Sequence, residues 1–166
     1  MKWEELLRST RRVSPTSLYN DPYSEGGPFH IEYDKDNKEL TFTKIFNSKH
    51  LSYGNILRYE TTITFLDVDP HQNIQKTKYG IFPRPDVEYN DVRVNCTCAS
   101  YRFTGAYPNA RVDANAKKVP RGWHNKSHRK SRNPFGAPMV CKHVIFVMNW
   151  LLRSELVTSG IRPSKI

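Results

Sequence analysis

Apolar and polar residues alternate over two neighbouring stretches, Phe29-His30-Ile31-Glu32-Tyr33 and Leu40-Thr41-Phe42-Thr43-Lys44-Ile45-Phe46. Residues Asp34 to Lys38 between them supply turn chemistry, so the pair reads as a β-hairpin. Upstream, Trp3, Leu6, Leu7 and Arg11 set out a short amphipathic helix over residues 3–13, ended by Ser14-Pro15. A loop rich in Pro, Gly, Asn and Asp then runs through Pro28. Downstream, Tyr59 to Val68 is rich in Thr, Ile and Phe and predicts a further strand, closed by Asp67-Val68-Asp69-Pro70. A weaker strand is predicted over Ile74 to Phe82, and a last one over Asp91 to Cys96 after a turn containing Pro83 and Pro85.

Residues 104–138 have almost no periodicity and many Gly, Pro, Asn and Lys. A loop this long inside a compact domain is functional or disordered. Periodicity returns with Val144, Ile145, Val147, Met148, Leu151, Leu152 and Leu156, the stripe of a helix that packs on a sheet, with Gly160 and Pro163 marking its end. The expected fold class is therefore α+β: an antiparallel meander of four or five strands with one polar face and a C-terminal helix. Residues 1–28 form a helix and loop arm, and residues 29–166 a single β-rich domain with a basic loop at 99–140.

Composition changes the picture in two ways. With 37% hydrophobic residues in 166, the core is modest, and a metal staple would help to hold it. The net charge of +10 is concentrated, because the segment between Cys98 and Cys141 has nine Lys or Arg and one acid, Asp113. Charge this dense meets an anionic partner or remains a solvated basic loop. The partner-binding candidates are Lys117, Lys118, Arg121, Trp123, Lys126, Arg129, Lys130 and Arg132. The longest apolar stretch, Val144 to Leu152, is too short to span a bilayer. The opening Met-Lys-Trp-Glu-Glu-Leu-Leu-Arg lacks a secretory pattern, so a reducing cytoplasm is expected when the chain is made.

Three cysteines argue against a purely disulfide framework. Cys96 and Cys98 bracket Thr97, and in an extended strand residues i and i+2 face the same side, so both sulfurs can reach one ion. Cys141 and His143 stand where the loop enters the helix, on the other side. Taken singly, Cys96 reads as core filler and His143 as a residue at a helix start. Taken together, all three cysteines fall into two matching ligand pairs. Cys96, Cys98, Cys141 and His143 thus make a candidate Cys₃His site for one structural zinc ion.

Cys-x-Cys on a strand, a variable loop and Cys-x-His opening a helix resemble the SWIM-type zinc finger over about residues 92–157. That resemblance implies a ββα zinc module used for DNA binding or protein contact, although the loop here is unusually long. The segment Val94-Asn95-Cys96-Thr97-Cys98-Ala99-Ser100-Tyr101-Arg102-Phe103, with Arg132-Asn133-Pro134 and Cys141-Lys142-His143-Val144, is also similar to a group of small tailed-bacteriophage proteins. It implies a virion component, found in the particle or in host cytoplasm before assembly.

Other residues carry less. His124 and His128 have i, i+4 spacing but stand among Asn, Lys and Ser and read as solvated. Asp67, Asp69 and His71 look like a metal cluster and more simply make a strand-ending turn around Pro70. Trp123, Tyr101, Phe103 and Tyr107 among basic residues suit stacking on single-stranded nucleic acid, or pin the loop to its domain. No nucleophile elbow, phosphate-binding glycine loop or paired carboxylates occur. The expected class is a structural or assembly protein docking to partner subunits and not an enzyme; the alternative is a nucleic-acid-binding module acting through residues 102–132.

Overall fold

A computed structural model describes residues 1–13, 26–52, 55–71, 73–118, 133 and 136–160. The chain is α+β. Helix α1 (Trp3–Val13) is followed by β1 (Gly26–Asp34), β2 (Glu39–Ser52), β3 (Asn55–Phe65), β4 (Ile74–Thr77), β5 (Gly80–Pro83) and β6 (Val92–Cys96). A five-residue π-helical turn (Tyr101–Gly105) then runs into α2 (Ala106–Arg111), and α3 (Lys142–Arg153) closes the described fold.

Four strands make one antiparallel sheet in the order β1-β2-β3-β6. The expected weak strand over 74–82 is instead a separate two-stranded hairpin, β4-β5, in register Ile74↔Pro83 to Thr77↔Gly80. The meander therefore skips this hairpin, and β6 returns to pair with β3 from Phe65↔Val92 to Thr61↔Cys96. Strands β2 and β3 also continue beyond residues 46 and 59, where alternation stops, and after a register shift between Asn47 and Leu51 they pair again to Ser52↔Asn55. Backbone pairing needs no apolar alternation once the ladder is started. In the β1-β2 turn, the Asp34 carboxylate accepts the amides of Asp36 at 3.0 Å and Asn37 at 3.1 Å.

The pleat sorts the side chains. Leu40, Phe42 and Phe46 of β2, Ile63 and Phe65 of β3, and Val92, Val94 and Cys96 of β6 all point to one face and are buried. Phe42 is central: the rings of Phe29, Phe65 and Phe82 lie 6.2, 5.9 and 6.5 Å from it. Helix α3 lies against β3 and β6 and buries Val144, Ile145, Val147, Met148 and Leu151. Each such side chain stabilises the fold by roughly 1.5–3 kcal/mol. Helix α1 adds Trp3 and Leu6 to the same core. The segment joining α1 to β1, where the boundary between arm and domain was expected, lies largely outside the described residues.

Two stretches differ from the sequence expectation. Helix α3 ends at Arg153, before Gly160, because Glu155 adopts φ +57°. There the Glu155 amide donates to Leu152 O (3.2 Å) and that of Leu156 to Leu151 O (3.0 Å), a Schellman closure that returns Leu156 to the core. The expected loop from residue 104 begins as helix, with the π turn and α2 over Tyr101–Arg111. Pro108, which has no amide to donate, falls in this first turn of α2. Gly105 is favoured by close approach: a Cβ would stand 3.1 Å from both Met139 O and the Tyr101 ring.

Candidate metal centre

The inward parity of Val92 and Val94 carries Cys96 to the core face at the last residue of β6. Thr97 continues the strand for one more step, donating its amide to Glu60 O at 3.0 Å while its hydroxyl accepts the Glu60 amide at 2.9 Å. That exchange keeps Thr97 outward and Cys98 inward. From the other side, Cys141 is the N-cap of α3, in extended conformation (φ −89°, ψ 169°), and His143 lies in the first turn.

The four side chains meet. One donor atom from each of Cys96, Cys98, Cys141 and His143 lies within 4.8 Å of all the others, and all four residues are buried. Cys96 Sγ and Cys141 Sγ are each 3.9 Å from His143 Nδ1. A tetrahedron with metal–ligand arms of about 2.1–2.3 Å has edges of roughly 3.6–3.8 Å, so the quartet has the size of one four-coordinate site. The His143 ring is also held between aromatic neighbours, with the Phe46 and Tyr59 centroids each 5.2 Å away. This cluster can hold one metal ion.

No protein-family model, curated protein or solved structure matches the chain. The chemistry of the centre therefore rests on its own residues. Hydroxyl and backbone donors also reach the sulfurs. The Thr61 hydroxyl donates to Cys96 Sγ at 3.4 Å, the Cys98 amide to Cys96 Sγ at 3.5 Å, and the Tyr101 amide to Cys98 Sγ at 3.4 Å. Such bonds orient thiolates and spread their charge. Without a cation, burial pushes the Cys96 and Cys141 thiols well up, whereas hydrogen bonds from Cys141 and Cys96 pull Cys98 far down. One thiolate with two buried thiols is what such crowding favours, and a divalent cation replaces the remaining protons. Three thiolates and a neutral imidazole around it would leave a charge of −1. The first turn of α3 has no acidic residue and no side-chain cap, so this charge would answer the helix N-terminus.

Behind the centre lies a polar clamp without a sequence signature. Tyr101, expected as a loop anchor or stacking ring, is fully buried, so it offers no surface for stacking. Its hydroxyl lies 2.7 Å from Val94 O and accepts the Asn109 side-chain amide at 3.0 Å. Asn109 also donates to Met139 O (2.9 Å) and accepts the Met139 amide (2.8 Å), in the manner of a neighbouring strand. It thereby joins the outgoing and returning arms of the long loop two residues before Cys141. Thr10 of α1 adds a second tie: its buried hydroxyl donates to Leu6 O (2.7 Å) and accepts the Val140 amide (2.9 Å). The only trace of Thr10 in the sequence is its i, i+7 spacing from Trp3.

Of the partner-binding candidates, Lys117 and Lys118 are exposed, and Lys117 makes an ion pair with Glu60. Arg121, Trp123, Lys126, Arg129, Lys130 and Arg132 lie outside the described residues, as do His124 and His128. Asp67, Asp69 and His71 form a turn, with Asp67 at φ +54° and the His71 amide donating to the Asp69 carboxylate at 2.8 Å. Among the described residues no helix is long and apolar enough to cross a membrane.

Proposed function

We propose that this chain is a zinc-stabilised docking protein and not an enzyme. The observation that carries the reading is the buried quartet Cys96, Cys98, Cys141 and His143. Three sulfurs and one imidazole gathered within 4.8 Å suit Zn²⁺ above hard cations that prefer oxygen. Four protein donors leave no open position for a reacting water, which separates a structural from a catalytic zinc. The ion would clip β6 to α3 and so close the base of the basic segment between Cys98 and Cys141. Asp113, the single acid of that segment, is already engaged by Arg93 at 2.7 Å. Its cations would then dock on the acidic face of a neighbouring subunit, in a particle of the kind that the tailed-phage resemblance implies.

The test combines metal and partner. Purified protein should hold one zinc per chain by mass spectrometry under non-denaturing conditions, and lose it on Cys98→Ser. Replacing Lys126, Arg129, Lys130 and Arg132 by Ser should weaken association with assembled particles, while binding to duplex or single-stranded DNA stays weak at physiological salt. Nanomolar DNA binding with a steep salt slope, flattened by up to about four units in the fourfold variant, would instead establish the nucleic-acid reading.

A further inference from the structure

A half-open cleft of about 420 Å³ lies beside α1, lined by Glu5, Arg8, Ser9, Arg12, Val13 and Ala137. Segments from near the two ends of the described chain build it, because the bond between Thr10 and the Val140 amide draws α1 onto the returning arm of the loop. Ala137 is fixed in turn by Asn133, whose side chain accepts its amide at 3.1 Å and donates to its carbonyl at 2.8 Å. Arg8 and Arg12 stand one helical turn apart, both exposed. Among the described residues neither makes an ion pair, although Glu5 is close by in sequence and lines the same cleft; Glu5 instead accepts the Lys2 backbone amide at 2.9 Å. Cations near a helix C-terminus are favourable on their own account. That accounts for Arg12 in the last turn but not for a cleft that Val13 and Ala137 line beside the two arginines.

Two guanidinium forks select carboxylate or phosphate oxygens. The apolar part of the lining decides between the sources. A polynucleotide backbone offers charge all along its length and no aliphatic side chain to set against Val13 and Ala137. An acidic peptide with an apolar side chain between its carboxylates fills both requirements. We propose that this cleft is a docking site for an acidic segment of a partner protein that carries an apolar anchor. The inference rests on the docking reading above and gives the partner its chemistry: carboxylates on Arg8 and Arg12, and an aliphatic side chain over Val13 and Ala137.

The test uses the full-length zinc-loaded chain and three probes: an octapeptide alternating Glu and Leu, an octapeptide of Glu alone, and a single-stranded DNA dodecamer. Calorimetry should rank the Glu-Leu peptide at least about tenfold tighter than the other two at physiological salt, and Arg8→Ala with Arg12→Ala should remove about tenfold or more of its affinity. Both arginines are exposed on a helix, so melting temperature and zinc content should stay unchanged in the double variant. The Arg8 and Arg12 Nε–H resonances should shift on titration. Equal binding of the two peptides, tighter binding of the DNA, or an affinity indifferent to the double variant would each overturn the cleft. Zinc-dependent particle association with a peptide indifferent to these arginines disproves the cleft alone. Peptide binding through them in a chain that never associates with particles disproves the docking reading alone.

Discussion

The central sheet and the clasp around the candidate metal centre hold together by different physics. In the sheet, Phe42, Phe46, Ile63, Phe65, Val92 and Val94 are fully or almost fully buried, and their burial needs only the alternation of each strand and the pairing of its neighbours. In the clasp, Cys96 and Cys98 meet Cys141 and His143 across more than forty residues, and the same junction depends on Asn109, Tyr101 and Thr10. Apolar burial is non-directional and forgiving, since a side chain of similar volume serves nearly as well. A metal quartet and a buried hydrogen-bond clamp are directional, and they fail when one member is lost. The first region should therefore outlast the second.

The largest effect that could break this contrast is metal removal. Chelation or His143→Ala should cost about 4 kcal/mol or more, and lower the melting temperature by on the order of 10 °C in a chain of this size. Hydrogen exchange should then show α3 and residues 101–116 opening while the β2-β3 ladder stays protected. Simultaneous opening of both regions would mean that sheet and clasp are one cooperative unit. A smaller effect is expected from Asn109→Ala, which strands the Met139 amide and carbonyl and removes a donor from Tyr101. The expected loss is about 2–4 kcal/mol by denaturant unfolding, with one zinc still bound. A loss below about 0.5 kcal/mol would show that the metal alone closes the loop.

The smallest effect concerns the sheet and sharpens the contrast from its side. Amide and side-chain hydrogen bonds from Asn37, with one from the Asp36 amide, hold the Asp34 carboxyl below the ordinary range against a small opposing effect of burial. A depressed folded-state value means that this contribution is present above about pH 4, the unfolded value, and disappears as pH falls through the folded one. The amide resonances of Asp36 and Asn37 should report a midpoint below pH 4, and Asp34→Ala should abolish that dependence while the sheet remains paired. A midpoint at the ordinary value would mean that the turn bonds do not hold in solution.

Legibility followed the range of each interaction. The β1-β2 hairpin was readable because alternation and turn residues both lie within about twenty residues of chain. The ligand quartet was readable because thiols and imidazole at i, i+2 spacing have few other uses when every cysteine joins a pair. The β4-β5 hairpin was misread as one strand, since Lys78-Tyr79-Gly80 lacks the strongest hairpin turn signals and the whole stretch is only ten residues long. The end of α3 was misplaced because Glu155 takes a left-handed conformation usually left to Gly or Asn. Residues 104–111 look aperiodic in sequence because the π turn and Pro108 interrupt the 3.6-residue period.

From residue types and spacing alone came the antiparallel β-rich class, the inward face of each strong strand, the candidate metal donors and the concentration of charge between Cys98 and Cys141. Each is local, expressed within one strand, one helix or one pair of ligands, where hard sterics and donor chemistry leave few choices. Only the tertiary structure decided that β6 returns to β3 past an inserted hairpin, that Asn109 closes the long loop on Met139, and that Thr10 sets the arginines of α1 beside Ala137. These are single hydrogen bonds or pairings between distant segments. An Asn, a Thr or an exposed Arg looks the same in sequence whether it meets a partner or water, and chain connectivity does not say which until the core has drawn the segments together.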